Sequence, residues 1–288
     1  MRNLYQPAQM IDTHQHFWIP SERRYQWLDD AGPPLNADFG PQDVAVDVAA
    51  SGVTAIMLVQ AADTYDDTFY MLSVASGEPA VKGVVGWVPL DRPREAEAAL
   101  DLYLASPTVR GVRTLNHTYD DPRWLLRSDV TESISLLAPR GLTLDVVSTT
   151  PEHLITIAEL AGRHLGLTII IDHLAKPDIA GKSWEPWATL LADAAVHQNV
   201  NVKLSGLNTV SAPGWTWQDW TPYVNHALAH FGSSRLMLGS DWPVSTLAGD
   251  FQSVWRAQRE VISGLSHDEQ DEILFRTALR VYSLNVSA

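Results

Sequence analysis

The chain has 288 residues, 45% hydrophobic and 19% charged, the balance of a globular protein with no disordered stretch. Its formal net charge of −14 argues against nucleic-acid binding, because a phosphate backbone attracts basic surfaces. Without cysteine, disulfides and thiolate metal sites are excluded, and any metal must rest on histidine and carboxylate.

The N-terminal "MRNLYQPAQM" lacks the apolar core of a signal peptide, and no apolar run approaches the roughly 18 residues of a membrane span. The expectation is a cytoplasmic protein with no membrane partner. Short apolar runs follow at 10–11, 55–59, 83–88, 109–112, 142–147, 167–171, 200–204 and 236–238. Several, such as "AIMLV" and "LTIII", are apolar at nearly every position, as parallel strands buried on both faces are. The first run is the weakest.

Helical patterns lie between them. "PQDVAVDVAASG" has Pro41 in its first turn and stops at Gly52, and "PREAEAALDLYLAS" starts at Pro93 with early acids. "TPEHLITIAELAGRH", "WEPWATLLADAAVH", "WQDWTPYVNHALAHFG" and "GDFQSVWRAQREVISGL" continue the series. "SHDEQDEILFRTALRVYSL" opens with Ser266 and Glu269 at capping-box spacing. Alternating strands and helices predict one α/β domain over 1–288, a (β/α)8 TIM barrel, preferred to an open doubly wound sheet because no Gly-rich phosphate fingerprint follows the first strand.

In such a barrel the chemistry gathers where strands end at their C-terminal side. The first strand ends in "IDTHQHFW", where His14 and His16 share strand parity and point to one face. Asp12 has the same parity but lies deeper, as a hydrogen-bond partner rather than a ligand. With His173 after the sixth strand and Asp241 after the eighth, the two histidines form a set suited to Zn²⁺ or Mn²⁺. A carboxylate there can also take the proton of an attacking water. His226 and His230 mimic a zinc pair at i, i+4, but they fall on an outer helix without the accompanying glutamate.

"IDTHQHFW", "DHLAKP", "VKLSG" and "LGSDWPV", in that order, resemble the amidohydrolase superfamily. The likeness is to the branch holding sugar-acid lactonases (for L-fucono- and L-rhamnono-lactones) and 2-pyrone-4,6-dicarboxylate lactonase. "YQWLDD", "GVVGWVPL" and the terminal "ILFRTALRVYSL" extend it over nearly the whole chain. The resemblance implies a carboxylic-ester hydrolase in which Asp241 activates water against a lactone carbonyl, with His14, His16 and His173 as catalytic partners. It implies one divalent ion or metal-free catalysis; "GVRTLNH" after the fourth strand lacks the lysine that a metal pair uses.

Arg113, Lys176, Asn116, Trp18 and Trp242 are the expected contacts of a small-molecule substrate, Arg113 with a structural ion pair as its other reading. Lys203 is equally suited to a structural partner such as Asp145. Trp215, Trp217 and Trp220, in "APGWTWQDW", either wall the mouth or bury a helix. A homodimer is compatible with the chain. A metal-dependent decarboxylase on the same scaffold is the second enzymatic reading, and a non-catalytic binding protein the third.

Overall fold

Eight strands lie parallel and in sequence order in one sheet. They are β1 (Ile11–Gln15), β2 (Ala55–Val59), β3 (Val81–Gly86), β4 (Val109–Thr114), β5 (Thr143–Val146), β6 (Ile169–Ile171), β7 (Val200–Leu204) and β8 (Leu236–Leu238). In this computed structural model, which describes residues 4–285, the sheet closes on itself just beyond β8. His16 N–H donates to Trp242 O and Asp241 N–H to His14 O, both at 2.8 Å, and Gln15 pairs in parallel with Trp242. The fold is the TIM barrel that the alternating pattern predicts. Among the described residues no helix is long and apolar enough to cross a membrane.

The outer layer follows the hydrophobic pattern only in part. α1 (Gln26–Ala31), α2 (Pro41–Ala50), α3 (Tyr65–Gly77), α4 (Pro93–Tyr103), α5 (Ser128–Ser135) and α6 (Pro151–Arg163) occupy the first half. α7 (Trp187–Ala195), α8 (Trp217–Phe231), α9 (Phe251–Val261), α10 (His267–Asp271) and α11 (Thr277–Val281) complete it. α2 begins where Pro41 predicts, with Gly40 N–H donating to the Asp43 carboxylate at 2.8 Å. The Ser266–Glu269 capping box forms, but the single terminal helix expected after it is divided by a π-helical turn, Glu272–Arg276.

Strand faces sort the core. Leu144, Ile169, Ile171, Val202 and Leu238 point outward into the strand–helix layer, whereas Ile11, Met57, Val85, Ile170 and Met237 fill the barrel interior. Ala278, Tyr282 and Leu284 pack against that inner cluster, so the C-terminal segment plugs the barrel at the end opposite the site. The inward positions nearer the mouth are not apolar. Arg113, Asp145 and Lys203 stand there, each at most 3% exposed.

Candidate active site

β1 is polar at four of its five positions, yet every one is buried. Asp12 explains why: Oδ1 accepts from Ser240 N–H (2.7 Å) and His14 N–H (3.2 Å), and Oδ2 from the Gln15 amide (2.7 Å). Burial pushes its carboxyl up to about 6 despite these donors. Asp12 fastens β1 to the segment after β8 and, as expected, stands as a hydrogen-bond partner.

His14, His16, His173 and Asp241 converge at the mouth. His16 Nδ1–H donates to Val59 O at 2.7 Å, which leaves the Nε2 lone pair facing the centre. There His16 Nε2 lies 3.1 Å from His14 Nε2 and 3.4 Å from Asp241 Oδ1, and His14 Nε2 lies 3.8 Å from the same oxygen. His173 Nδ1 is 2.9 Å from Ser205 Oγ and 3.9 Å from Asp241 Oδ2. His173 and Asp241 are both left-handed residues (φ 54° and 58°), an unfavourable conformation that persists where surroundings impose it. Gly206 (φ +62°) is one such surrounding: a Cβ there would come within 2.7 Å of Asp241 Oδ2 and 3.0 Å of His173 Nδ1.

The electrostatics suit a base and a donor set. Burial lowers all three imidazoles, His14 furthest below its ordinary value and His173 to about 4, so they are neutral at neutral pH. Burial alone would raise the Asp241 carboxyl, but His173, the contact with His16, and His14 outweigh it as these imidazoles take up protons in acid. They hold the carboxyl well below the usual range, so it is ionised at neutral pH. Its Oδ2 is buried and accepts no hydrogen bond from the described residues.

Neutral imidazoles beside an ionised carboxylate are the donor set of a divalent ion. Metal–nitrogen bonds of 2.0–2.1 Å in tetrahedral geometry put neighbouring ligand atoms about 3.4 Å apart, and the His14–His16–Asp241 edges of 3.1, 3.4 and 3.8 Å bracket that value. The residues fit an ion. A second group, His14 with Asp172 and His173, is also close enough, but Asp172 is ion-paired with Arg113 and Lys203.

That engagement is the floor beneath the site. Asp172 meets Arg113 Nη1 at 3.0 Å and Lys203 Nζ at 3.3 Å, and Lys203 Nζ meets Asp145 Oδ2 at 2.6 Å. Tyr282, arriving from the plug, donates its hydroxyl to Asp145 at 2.7 Å. Both acids are buried, which raises carboxyls, yet Lys203, His14 and Arg113 hold Asp172 well below the usual range while Asp145 stays raised. His14 rests on this floor, with Nδ1 3.1 Å from Lys203 Nζ and 3.3 Å from Asp172 Oδ1.

Above it, Arg113, Lys176, Trp18, His16, His173 and Asp241 line one pocket. Trp27, Ala61 and Val244 extend its apolar wall beside Trp18, and Leu115, His117 and Thr118 come from the loop after β4. Ala61 is held from behind by Asp67, whose Oδ2 accepts from Ala61 N–H (2.8 Å) and Ala62 N–H (3.2 Å). Burial raises that carboxyl to about 7.

Two expected contacts lie outside the lining. Asn116 turns its amide to Val147 O at 3.1 Å, and Trp242 packs edge-on against Phe17 and Phe39. Trp215 and Trp220 stack on each other at 4.7 Å, with Trp215 Nε1–H donating to Ala248 O, and neither they nor Trp217 line the pocket. His226 Nε2 engages Ala188 O at 2.8 Å among the rings of Trp184 and Trp187. Arg113 joins both of its sequence-level readings, an ion pair with Asp172 and a place in the pocket. Sequence reasoning gave Asp172 and His117 no role; "DH" at strand end and "NH" after β4 were the available signals.

Comparison with known proteins shows the family and the fold. The sequence pattern of the family described as "Amidohydrolase" matches residues 11–284. L-fucono-1,5-lactonase of Burkholderia ambifaria is 39% identical over 84% of this chain and 82% of its own length. L-fucono-1,5-lactonase of Burkholderia multivorans is 30% identical over 96% and 97%. A crystal structure of an amidohydrolase from Burkholderia multivorans with bound zinc superposes with a TM-score of 0.90, at 28% identity over 96% of this chain and all of that one.

Proposed function

The chain belongs to the amidohydrolase family and is a lactone hydrolase, and we propose that it opens a neutral sugar-acid lactone, L-fucono-1,5-lactone or a close stereochemical relative, with Asp241 as general base. The observation that carries the mechanism is the Asp241 carboxylate, ionised, buried and with Oδ2 unpartnered at the pocket floor. The curated relatives being lactonases decides against the decarboxylase reading.

The two carboxylate oxygens divide the work. Oδ1 faces His14 and His16, whereas Oδ2 is free to take a proton from water as the water oxygen adds to the lactone carbonyl carbon. The carbonyl electrons move onto its oxygen, which sits among the imidazoles and Arg113. The tetrahedral adduct then re-forms the carbonyl and breaks the bond to the ring oxygen, which takes the proton back from Asp241. Lactone and water thus become one hydroxy acid, whose carboxyl releases a proton to bulk solvent at neutral pH.

His14, His16 and Asp241 Oδ1 would hold a single Zn²⁺ or Mn²⁺, with His173 beside them. Such an ion supplies Lewis acidity to the carbonyl oxygen, the kind of charge stabilisation that is typically the largest catalytic term. Arg113 and Lys176 hold polar groups of the substrate, and Trp18 supplies an apolar face. The test is acid release, followed with a pH indicator, from a panel of 1,4- and 1,5-aldonolactones. Opening of L-fucono-1,5-lactone among the fastest is the expected result, and no acid release from any lactone contradicts the reading. Elemental analysis of the purified protein should give about one Zn or Mn per chain, and His16→Ala should lower that occupancy.

A further inference from the structure

Two polar groups of the pocket have no protein partner and no part in the water attack. The Lys176 ammonium makes no ion pair or side-chain hydrogen bond among the described residues, although it lines the pocket. The His117 ring makes none either, and its Nδ1 is buried. A buried, unbonded ring nitrogen is costly in a finished structure.

Neither group is loosely placed. Lys176 ends a run of four left-handed residues, His173, Leu174, Ala175 and Lys176, with φ of 54°, 53°, 57° and 46°. A succession of L-residues in this conformation is unfavourable and is kept only where the surroundings impose it, characteristically at sites that clamp ligands. Trp187 Nε1–H donates to Leu174 O at 2.9 Å and secures the run from outside. On the other side, Asp63 anchors the loop that carries His117. It accepts from Leu115 N–H (3.0 Å), the Thr114 hydroxyl (2.9 Å), the Tyr119 hydroxyl (2.8 Å) and the Gln60 amide (2.7 Å).

By barrel order the loop after β4 stands across the mouth from Asp241, which follows β8. We propose that Lys176 and His117 form the subsite that reads adjacent hydroxyl groups on the lactone ring, at the end remote from the carbonyl. The chemistry matches group by group. An ammonium offers donors only, whereas a neutral imidazole offers one donor and one acceptor, so a vicinal diol can accept from the first and exchange hydrogen bonds with the second. His117 is neutral: burial, then Arg113 and Lys176, lower it to about 4. Charge separates a polyol from an anionic substrate. Arg113 is matched by Asp172, leaving Lys176 as the one uncompensated pocket cation against ionised Asp241. At the end remote from the carbonyl, a ring bearing two carboxylates would meet a single cation without an ion-pair partner, Lys176.

This inference rests on the lactonase reading, and one set of assays separates their failures. kcat and KM are measured for L-fucono-1,5-lactone, for δ-valerolactone, which lacks ring hydroxyls, and for a pyrone dicarboxylate. The native protein should prefer the hydroxylated lactone to δ-valerolactone by at least about 100-fold in kcat/KM, since sites built to bond a hydroxyl reject analogues lacking it. His117→Leu and Lys176→Met should each shrink that ratio at least about tenfold, chiefly through KM for the hydroxylated lactone. His117→Gln, which keeps a donor and an acceptor, should recover part of it. Thermal midpoints of the three variants verify folding. An unchanged ratio in both variants, equal losses on the two lactones, or preference for the dicarboxylate overturns the subsite and leaves the lactonase standing. Turnover of no lactone removes both.

Discussion

Two polar clusters lie one above the other in this barrel, and they differ in how their charges are met. In the lower one, Lys203 and Arg113 answer Asp145 and Asp172, and Tyr282 closes the set from below. In the upper one, Asp241 Oδ2, His117 Nδ1 and the Lys176 ammonium face the pocket with no hydrogen-bond partner among the described residues. Burial is costly for charge in both places, and only the lower cluster offsets that cost internally. The upper cluster is left to be completed by substrate and water. His14 joins them, with Nδ1 in the paired floor and Nε2 in the open site.

Substitutions in each cluster should therefore fail differently. Asp241→Asn removes the proposed base and should cut kcat by up to roughly 10⁴-fold while leaving the thermal midpoint nearly unchanged; a variant within tenfold of native turnover would refute the mechanism. Lys203→Met strands two buried carboxylates and should cost about 3–5 kcal/mol in denaturant unfolding. Pairing it with Asp145→Asn should return part of that loss, and no recovery would break the view of the floor as mutually compensated. Tyr282→Phe deletes one hydrogen bond to a charged group and should cost about 1.5–3 kcal/mol, with kcat nearly intact.

Asp67 sharpens the comparison, because its buried carboxylate is met by backbone N–H groups and has no ion-pair partner among the described residues, Arg113 acting on it only from a distance. Its folded value, about 7, lies above its ordinary 3.8, so between those values the folded chain binds more proton than the unfolded one. Its contribution to stability is full below the lower value and is lost as pH rises through the upper, by at most about 1.4 kcal/mol per pH unit. Asp67→Asn keeps an acceptor for both amides without this dependence. Its unfolding free energy relative to the native chain should rise from pH 5 to pH 8, and a flat difference would show that Asp67 is not titrating there.

The barrel was legible because strands buried on both faces must be apolar, as in "AIMLV" and "LTIII". That same rule failed where inward positions carry the floor. β1 continues through Thr13 and His14 to Gln15, which an apolar-run criterion stops at Ile11. α1, α3 and α5 carry no helical pattern in the sequence reading, α3 because its helical period is blurred by "YDDT" at its start, with Thr64 as its cap. At the site, residue types gave the histidines and Asp241, since few other groups serve at a strand end. Partnership is a three-dimensional property. That Asp172 ties Arg113 to Lys203, that Trp242 packs on Phe39, and that His117 lacks a partner follow from where distant loops meet.

The seam of the sheet has a consequence for how activity arises. His14 hands its carbonyl to the Asp241 amide and His16 its amide to the Trp242 carbonyl, so the bonds that shut the cylinder run through the proposed catalytic residues and the neighbour of one of them. A chain folded through β7 would possess the histidines and lack Asp241, the proposed base. Hydrolysis is thus a reporter of ring closure: turnover regained during refolding should keep step with the joining of first strand to last.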